Sequence, residues 1–289
     1  MTTEEKKIKW LYTAAALAGL LAFLFFLYPS FSNAWNNYVS SQLITEYKNV
    51  VKQKTDNGKI EAEIQKAKEY NEKLFKHGEN NISEYTQNFK RGLKDEEYES
   101  ILAEEGMMGY VEIPRINEKL PLKHYTTDEV LRNSVGHLYG SSFPVGGKNT
   151  HAVVSAHNAL VSARLFTDLD TLEIKDKFII HVGNKKLNYE VDQIKVVLPN
   201  ELEYLGIIKG EDHVTLLTCT PYGVNTHRLL VRGKRIADDI EVKEEYKKPP
   251  IREVVDAPIF MLVVIIVGFL LFVLVIFFIW KKPKKTKNS

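Results

Sequence analysis

The chain has 289 residues, of which 44% are hydrophobic, and its formal net charge is +2 at pH 7. This length and apolar content are sufficient for one sizeable core with accessory segments, and the sequence contains no internal repeat. The nine residues at each end carry net charges of +1 and +5, so the sequence between them carries 2 − 6 = −4 and lacks the basic patch of a nucleic-acid-binding protein. A single cysteine excludes an intramolecular disulfide and therefore a fold that disulfides stabilise.

The N-terminal end carries a short charged segment followed by an apolar run. Three lysines precede the run, which extends from Trp10 to Tyr28. It is about as long as a helix must be to cross roughly 30 Å of hydrocarbon. We therefore assign residues 1–9 to the cytoplasm and residues 10–32 to a transmembrane anchor. A signal peptide cleaved shortly after the run is the alternative, and the length of the run favours the anchor.

The C-terminal end has a second apolar run. Residues 258–280 are apolar, and residues 281–289 include five lysines and no acidic residue. Because positively charged flanks of a span stay in the cytoplasm, both ends are predicted to be cytoplasmic and the sequence between the spans extracellular. Residues 239–257 are charged and contain two consecutive prolines, which is typical of a linker.

The spacing of apolar residues predicts two helices in the sequence before residue 106. A first stripe, at three- and four-residue intervals, ends at Val51, and a second begins at Ile60. Gly58 lies in the break between them. The two helices are therefore predicted to form an antiparallel hairpin within residues 33–105, which also contains a possible lid segment.

Residues 106–238 have the pattern of short strands. Apolar and polar residues alternate between turn residues, and Gly183-Asn184 predicts a two-residue hairpin. Several short strands at this spacing suggest a closed or nearly closed barrel, interrupted by helical pieces at residues 127–134 and 163–172. The predicted strands are residues 110–113, 120–122, 152–156, 178–182, 187–197, 214–218 and 229–236.

Cys219, the only cysteine, lies at the end of a strand pattern that begins at Val214. Turn residues follow it, and a strand that begins at Arg228 is predicted to return beside the first. The two strands would place Cys219 beside Arg228, where a fixed guanidinium favours the nucleophilic thiolate. The alternative is that Cys219 is a small buried hydrophobic residue, as a lone cysteine usually is.

A thiol nucleophile needs a proton carrier, and a histidine at a strand end is a candidate. His157 follows the predicted strand at residues 152–156 and can point across a cleft toward a thiol on another strand. The competing histidines are His151, at the start of the same strand, and His227, next to Arg228. The strand pattern alone leaves the three histidines as alternatives.

The sequence around these residues resembles a known family. Residues 218–229, TCTPYGVNTHRL, resemble the active-site segment of sortases. Together with residues 155–157 and 165–169, they are similar to class C, the pilin-polymerising sortases, and the similarity extends from about residue 107 to residue 232. The resemblance implies a mainly β fold, with an eight-stranded sortase barrel after an N-terminal helical hairpin and two flanking transmembrane helices.

The resemblance also implies roles for three residues. Cys219 would be the nucleophile, His157 the general acid and base, and Arg228 the residue that stabilises substrate and oxyanion. Asn158 departs from the arginine that often follows the catalytic histidine in this class, a difference that concerns the substrate groove. No cofactor or metal is implied, and no metal-ligand spacing surrounds Cys219.

Class C sortases commonly carry a loop before the barrel that covers the active-site cysteine, anchored by Asp-Pro and an aromatic residue. This chain lacks that proline, but the corresponding segment carries Glu84, Tyr85 and Phe89. Its acidic residue would pair with Arg228 while an aromatic ring covers Cys219. The alternative is an ordinary exposed loop.

These expectations describe a membrane-anchored cysteine transpeptidase. It would cleave an LPXTG-like sorting signal and join the acyl product to a lysine amine of another pilin subunit. The alternatives are a cell-wall-anchoring sortase, which uses an amine of a peptidoglycan precursor, and a non-catalytic pilus-assembly scaffold. A hydrolytic cysteine protease is disfavoured because the chain lacks the caspase signature, and its histidine precedes its cysteine, the reverse of the papain-like order.

Overall fold

The computed structural model describes residues 2–55, 58–77, 95–237 and 258–280. The predicted linker at residues 239–257 and the basic tail at residues 281–289 lie outside them. The helices are α1 (Thr3–Thr55), α2 (Lys59–His77), α3 (Glu96–Ser100), α4 (Asp128–Leu131) and α5 (Pro258–Trp280). The strands are β1 (Gly109–Ile113), β2 (Glu118–His124), β3 (Val135–His137), β4 (Thr150–Ser155), β5 (Lys177–Val182), β6 (Lys185–Val197), β7 (Asp212–Thr220) and β8 (His227–Arg235). The chain divides into two units, one comprising Met1–Trp35 with Lys248–Ser289, the other Asn36–Lys247.

The strands of the second unit form a closed barrel in the order β1-β2-β3-β4-β7-β8-β6-β5. β2 pairs with β3, and β4 with β7, in parallel, whereas the other neighbours are antiparallel. β1 pairs with both β2 and β5, which closes the barrel, so every strand has a hydrogen-bonded neighbour on each side. The prediction of an eight-stranded barrel is confirmed.

The predicted hairpin at Gly183-Asn184 is also confirmed. These two residues join β5 to β6, with Val182 opposite Lys185. Gly183 has a φ of +53°, a left-handed conformation that glycine adopts without steric penalty. A Cβ atom there would lie 3.0 Å from Cδ1 of Ile64 in α2, so the glycine also allows α2 to pack closely on this turn.

In the same unit, α2 and the second half of α1 pack on the barrel. Tyr47 of α1 is buried, and its hydroxyl accepts a hydrogen bond from the N–H of Gly183 and donates one to the carbonyl of Met108. Asn71 of α2 exchanges two hydrogen bonds with the backbone of Phe143. The two helices that the apolar stripes predict are present, and buried polar contacts fix both of them to the barrel.

Three local predictions differ from the structure. β3 is not predicted, because a strand of only three residues is too short for a recognisable alternation. Residues 163–172, predicted as helical, form turns with one short 3-10 helix, Leu169–Thr171. Leu165 in this segment has a φ of +46°, which a continuous right-handed helix excludes. The helical piece predicted at residues 127–134 is reduced to the single turn of α4.

The first unit contains the apolar part of α1 together with α5. By length and composition, α1 is the one helix among the described residues that could cross a membrane. The apolar stretch found in α5, Ile265–Phe277, is shorter, so the second predicted transmembrane span is not confirmed. A Cβ atom at Gly268 of α5 would lie 2.5 Å from the ring of Phe23 in α1, so the absence of a side chain there allows the two helices to pack.

Candidate active site

Two of the three predicted catalytic residues lie on adjacent strands of the barrel wall, and the third, His157, lies just beyond the end of β4. Cys219 lies opposite Arg228 in the antiparallel ladder between β7 and β8, as predicted. On the other side of β7, Ser155 at the end of β4 lies opposite Leu217 in the parallel ladder. Beyond the last ladder pair, the N–H of Ala156 still donates to the carbonyl of Leu217, so the segment that carries His157 leaves β4 beside β7. Cys219 therefore has Arg228 on one side of β7 and the segment that carries His157 on the other.

The segment that carries His157 is attached to β7. The N–H of Ala156 donates to the carbonyl of Leu217 at 3.2 Å, and the hydroxyl of Thr218 donates to the carbonyl of Ala156 at 2.7 Å. Both Ala156 and Thr218 are buried. Because these bonds immediately precede His157 and Cys219, the backbones that carry the imidazole and the thiol are held at a fixed spacing.

The loop after His157 folds back and holds the histidine from the other side. The N–H of Phe166 donates to the carbonyl of His157 at 3.2 Å, and the Phe166 ring is fully buried. Farther along the loop, Arg164 forms an ion pair of 2.8 Å with Asp168. The buried ring and the ion pair stabilise the turns between β4 and β5, so the backbone at His157 is anchored at two points.

Arg228 presents a positive charge beside the thiol. Its Nη1 donates to the carbonyl oxygens of Asn225, at 3.2 Å, and of His227, at 3.0 Å. These bonds orient the side chain without neutralising it, and no carboxylate within the described ranges lies within ion-pair distance of Arg228. Since a guanidinium stays protonated at any working pH, the site retains a full positive charge.

The site is accessible from solvent. Cys219 is free and only partly buried, as are His157 and Arg228. Large apolar side chains are exposed in the two loops that leave the barrel at Cys219 and at His157. They are Tyr222 and Val224 after β7, exposed by 66% and 64%, and Val161 after β4, exposed by 63%. Cys219 therefore lies between two loops with apolar surfaces that a peptide can contact.

His151, one of the competing histidines, has a structural environment. It is 1% exposed; its Nδ1 donates to the carbonyl of Gly206 at 2.8 Å, and its Nε2 is bonded to the hydroxyl of Thr215 at 2.7 Å. Burial lowers the pKa of His151 to about 4. A neutral imidazole with both nitrogens occupied carries no proton to a substrate, so His151 holds the connection between β6 and β7 in place.

His227, the other competing histidine, adjoins the site but lies on the other face of the sheet. It pairs with Thr220 in the ladder, and successive strand residues point to opposite faces, so its side chain projects away from that of Arg228. Its Nδ1 is 2.9 Å from the hydroxyl of Thr226. The structure therefore pairs Cys219 with Arg228 and attaches the segment that carries His157 to β7, and it places neither of the competing histidines beside the thiol.

The connection between β6 and β7 covers the outer face of the barrel next to the site. Leu205 of this connection is buried in an apolar cluster with Val153, Val197 and Leu230. The cluster adjoins Arg228, because its member Val197 lies directly opposite Arg228 in the ladder between β6 and β8. Sequence analysis did not identify this support, since the cluster joins residues from three strands and a loop that lie far apart in the chain.

Other predicted or possible site features lie elsewhere. The lid residues Glu84, Tyr85 and Phe89 lie outside the described residues. A cavity of about 730 Å³ is lined by residues that include Gly147 and Asp212, at the opposite end of β7 from Cys219. It contains none of the three candidate catalytic residues, so the chemistry belongs to the surface around Cys219.

The sequence and the fold agree with one family. The sortase domain family matches residues 111–236, which contain most of the barrel. Sortase C1 of Streptococcus agalactiae is 44% identical, and its match covers 68% of this chain and 100% of the relative, with a TM-score of 0.57. The chain belongs to the sortase family.

A second solved structure places this sortase in class C. Sortase C of Streptococcus pneumoniae is 41% identical over 68% of this chain and 97% of its own, with a TM-score of 0.57. Sortase D of Bacillus subtilis is 28% identical over 131 residues, which are 44% of this chain and 63% of the relative. The chain thus spans less than two thirds of that curated relative and nearly all of the two class C structures. Sortases are cysteine transpeptidases, and the predicted class is confirmed.

Proposed function

We propose that this sortase is a membrane-anchored transpeptidase that cleaves an LPXTG-like sorting signal and joins the acyl product to a lysine amine of another pilin subunit. The observation that carries the proposal is the position of Cys219, opposite Arg228 on β8 and next to the segment after β4 that carries His157. A thiol, an imidazole and a guanidinium are the groups that nucleophilic acyl transfer needs for attack, proton transfer and oxyanion stabilisation.

In the first half-reaction, the Cys219 thiolate attacks the carbonyl carbon of the signal's threonine. The carbonyl oxygen becomes an oxyanion, which the Arg228 guanidinium stabilises by charge and hydrogen bonding. The His157 imidazolium then gives its proton to the leaving glycine amine, and the C–N bond breaks. The products are a free amine and a thioester between the threonine acyl group and Cys219 Sγ.

In the second half-reaction, an acceptor amine attacks the thioester. His157, now neutral, removes a proton from the attacking nitrogen, and Arg228 again stabilises the oxyanion. The C–S bond breaks, Cys219 leaves as a thiolate, and an amide bond forms. The imidazolium and the thiolate are both restored, so the cycle consumes no proton and needs no cofactor.

The pilin lysine as acceptor is supported by the class to which the chain belongs. The sortase C of Streptococcus pneumoniae is described with pilin substrate specificity. Membership of the same class carries the proposal to this chain. The apolar loops with Val161, Tyr222 and Val224 are consistent with a signal that contains leucine and proline. A cell-wall-anchoring sortase would share the first half-reaction and differ only in the second.

The proposed location is the cell membrane, with α1 and α5 as spans and the barrel outside. Support comes from the apolar content of α1 and from the lysines at both ends of the chain. Protease added to cells stripped of their wall should digest the barrel and spare Lys7 and Lys285 at the two ends. Protection of the barrel would contradict this topology, and cleavage at Lys285 alone would contradict the second span.

The reaction is tested with the full-length protein in detergent. Incubation with a sorting-signal peptide should produce a thioester at Cys219, detected by mass spectrometry of the intact protein, and Cys219→Ala should produce none. Absence of the thioester in the wild-type protein would favour the non-catalytic scaffold. A lysine-containing pilin peptide and a peptidoglycan-precursor amine are then added in parallel, and faster loss of the thioester with the precursor would favour the cell-wall alternative.

A further inference from the structure

Asn158, the residue after His157, is bonded directly to the backbone of the cysteine. Its Nδ2 donates to the carbonyl of Cys219 at 3.0 Å. The Oδ1 atom of the same amide is buried and has no hydrogen-bond partner in the part of the chain that the structure describes. The direction of the amide is fixed by this contact, because the opposite orientation would set two oxygens against each other. The side chain therefore acts as a donor to Cys219.

The bond takes the place of a backbone hydrogen bond that the β4–β7 ladder lacks at this position. The N–H of Ala156 donates to the carbonyl of Leu217, and the next carbonyl of β7 that faces β4 belongs to Cys219. In a longer ladder the donor to that carbonyl would be the backbone N–H of residue 158. β4 ends at Ser155, and the chain turns away after it. Asn158 supplies from its side chain the donor that its backbone no longer offers.

This hydrogen bond fixes the orientation of the peptide group that follows Cys219. Cys219 is the last residue but one of β7, and the strand is followed by Pro221, which has no N–H. The carbonyl of Cys219 belongs to the peptide plane between Cys219 and Thr220, so holding it fixes the ψ angle of the cysteine. A fixed ψ angle limits the directions in which Sγ can point, and reaction rates fall steeply when a nucleophile is misdirected.

Folding alone does not account for Asn158. Its one hydrogen bond stabilises the folded state, whereas its buried and unpaired Oδ1 destabilises it by a comparable amount. Replacement by alanine removes both contributions together, and because Cys219 is only partly buried, water can bond the carbonyl that loses its partner. We therefore expect the alanine variant to melt within about 2 °C of the wild type, a shift that corresponds to a small change in stability.

We propose that Asn158 is a positioning residue that acts through Cys219, holding its carbonyl so that the thiol faces His157. The inference rests on the proposed function, because the orientation of the thiol affects a rate only if Cys219 reacts. Asn158 touches no substrate atom in this role. Its effect falls on thioester formation and not on the binding of the sorting signal.

The test compares Asn158→Ala with Asn158→Asp in the full-length protein. Aspartate keeps the shape of asparagine but has no hydrogen to donate when ionised, so both variants lose the hydrogen bond to the Cys219 carbonyl. Each should lower kcat for thioester formation by about 5- to 10-fold with little change in KM, the size expected for one hydrogen bond. Asn184→Ala is the matched control, because it removes an amide bonded to Glu61 at 2.7 Å and should leave kcat unchanged.

A second readout does not depend on transpeptidation. The rate of Cys219 alkylation at a fixed pH reports how the thiol is presented to a small reagent, and Asn158→Ala should lower this rate relative to Asn184→Ala. A lowered alkylation rate in a protein whose wild type forms no thioester would refute the proposed function and support the positioning role. Unchanged kcat where the thioester forms, or an unchanged alkylation rate where it does not, would overturn the inference. A loss of kcat that matches a loss of folded protein would overturn it as well.

Discussion

The two ends of the β4–β7 pair use histidine in opposite ways. At the start of the pair, His151 lies opposite His213 in the ladder, and both are buried. At the other end, His157 follows β4 and is partly exposed, on a segment bonded to β7 just before Cys219. The same residue type, on the same segment of chain, occupies a buried network at one end and the surface beside a thiol at the other.

The difference lies in the number of partners that each imidazole has. Both nitrogens of His151 are bonded within the protein, and burial keeps its pKa near 4. No residue in the described ranges forms a hydrogen bond with the ring of His157, so its nitrogens remain for the thiol and the substrate. A histidine can carry a proton only if the fold leaves a nitrogen unused.

The largest expected effect is the loss of activity on replacement of His157. His157→Ala should lower kcat/KM for thioester formation by roughly 10²–10⁴, because it removes the general acid. His227→Ala serves as the control and should remain close to the wild type, since its side chain lies on the other face of β8. Full activity of His157→Ala, together with a large loss in His227→Ala, would reverse the assignment.

The second-largest effect on activity is expected at Arg228, where two variants distinguish the contribution of its charge from that of its planar shape. Arg228→Ala should lower kcat/KM by about 10²–10³, the size expected for a lost oxyanion donor. Arg228→Lys keeps the charge but lacks the planar fork of donors, so it should recover only part of this loss. The comparison is made with steady-state kinetics on the sorting-signal peptide. Equal rates for the lysine variant and the wild type would show that charge alone is sufficient.

At the buried end, the expected effect is on stability. His151→Ala leaves the carbonyl of Gly206 and the hydroxyl of Thr215 without their partner, and each unsatisfied group costs about 1–3 kcal/mol. Urea denaturation should therefore show a loss of at least about 1 kcal/mol, while kcat per folded molecule changes little. If kcat fell as severely in His151→Ala as in His157→Ala, the distinction between the two ends would be wrong.

The smallest effect is on the pH dependence of stability. The pKa of His151 is lowered to about 4, chiefly by burial, against about 6.5 in an unfolded chain. Between these values the unfolded state binds more protons, so stability falls as the pH drops from about 6.5 toward 4. His151 should contribute about 1–2 kcal/mol of this loss by pH 5, and the titratable and charged groups that face it are His213, Arg232 and Asp192. Urea titrations at pH 7 and pH 5 should show a smaller difference for His151→Gln than for the wild type.

The sequence was sufficient to predict the contact between Cys219 and Arg228, because a short turn joins their two strands and fixes the register. The strand pattern left His157 as one of three candidate histidines, and only the resemblance to sortases selected it. β4 and β7 are distant in sequence, and their parallel pairing depends on closure of the whole barrel. The bond from Asn158 to Cys219 depends on where β4 ends, which no local pattern specifies.

Other differences have local physical causes. The segment at residues 163–172 has the apolar spacing of a helix, but Leu165 adopts a left-handed conformation and the buried ring of Phe166 holds a series of turns. β3 is too short to show a period. At residues 163–172 tertiary packing therefore overrides a local preference, whereas β3 was missed because of its length.

The closed barrel has a consequence for how peptides are recognised. Many peptide-binding domains capture an extended segment by adding it as a strand to the open edge of a sheet. Here β1 joins β2 to β5, so the ladder is continuous and offers no edge for such an addition. Under the proposed function, the sorting-signal peptide would instead lie across the wall, where the exposed side chains of the loops that leave it, such as Val161 and Tyr222, would select it. Those loops can change in sequence and length while the ladder that aligns Cys219 with Arg228 stays the same, so specificity for new peptides can evolve without disturbing the chemistry.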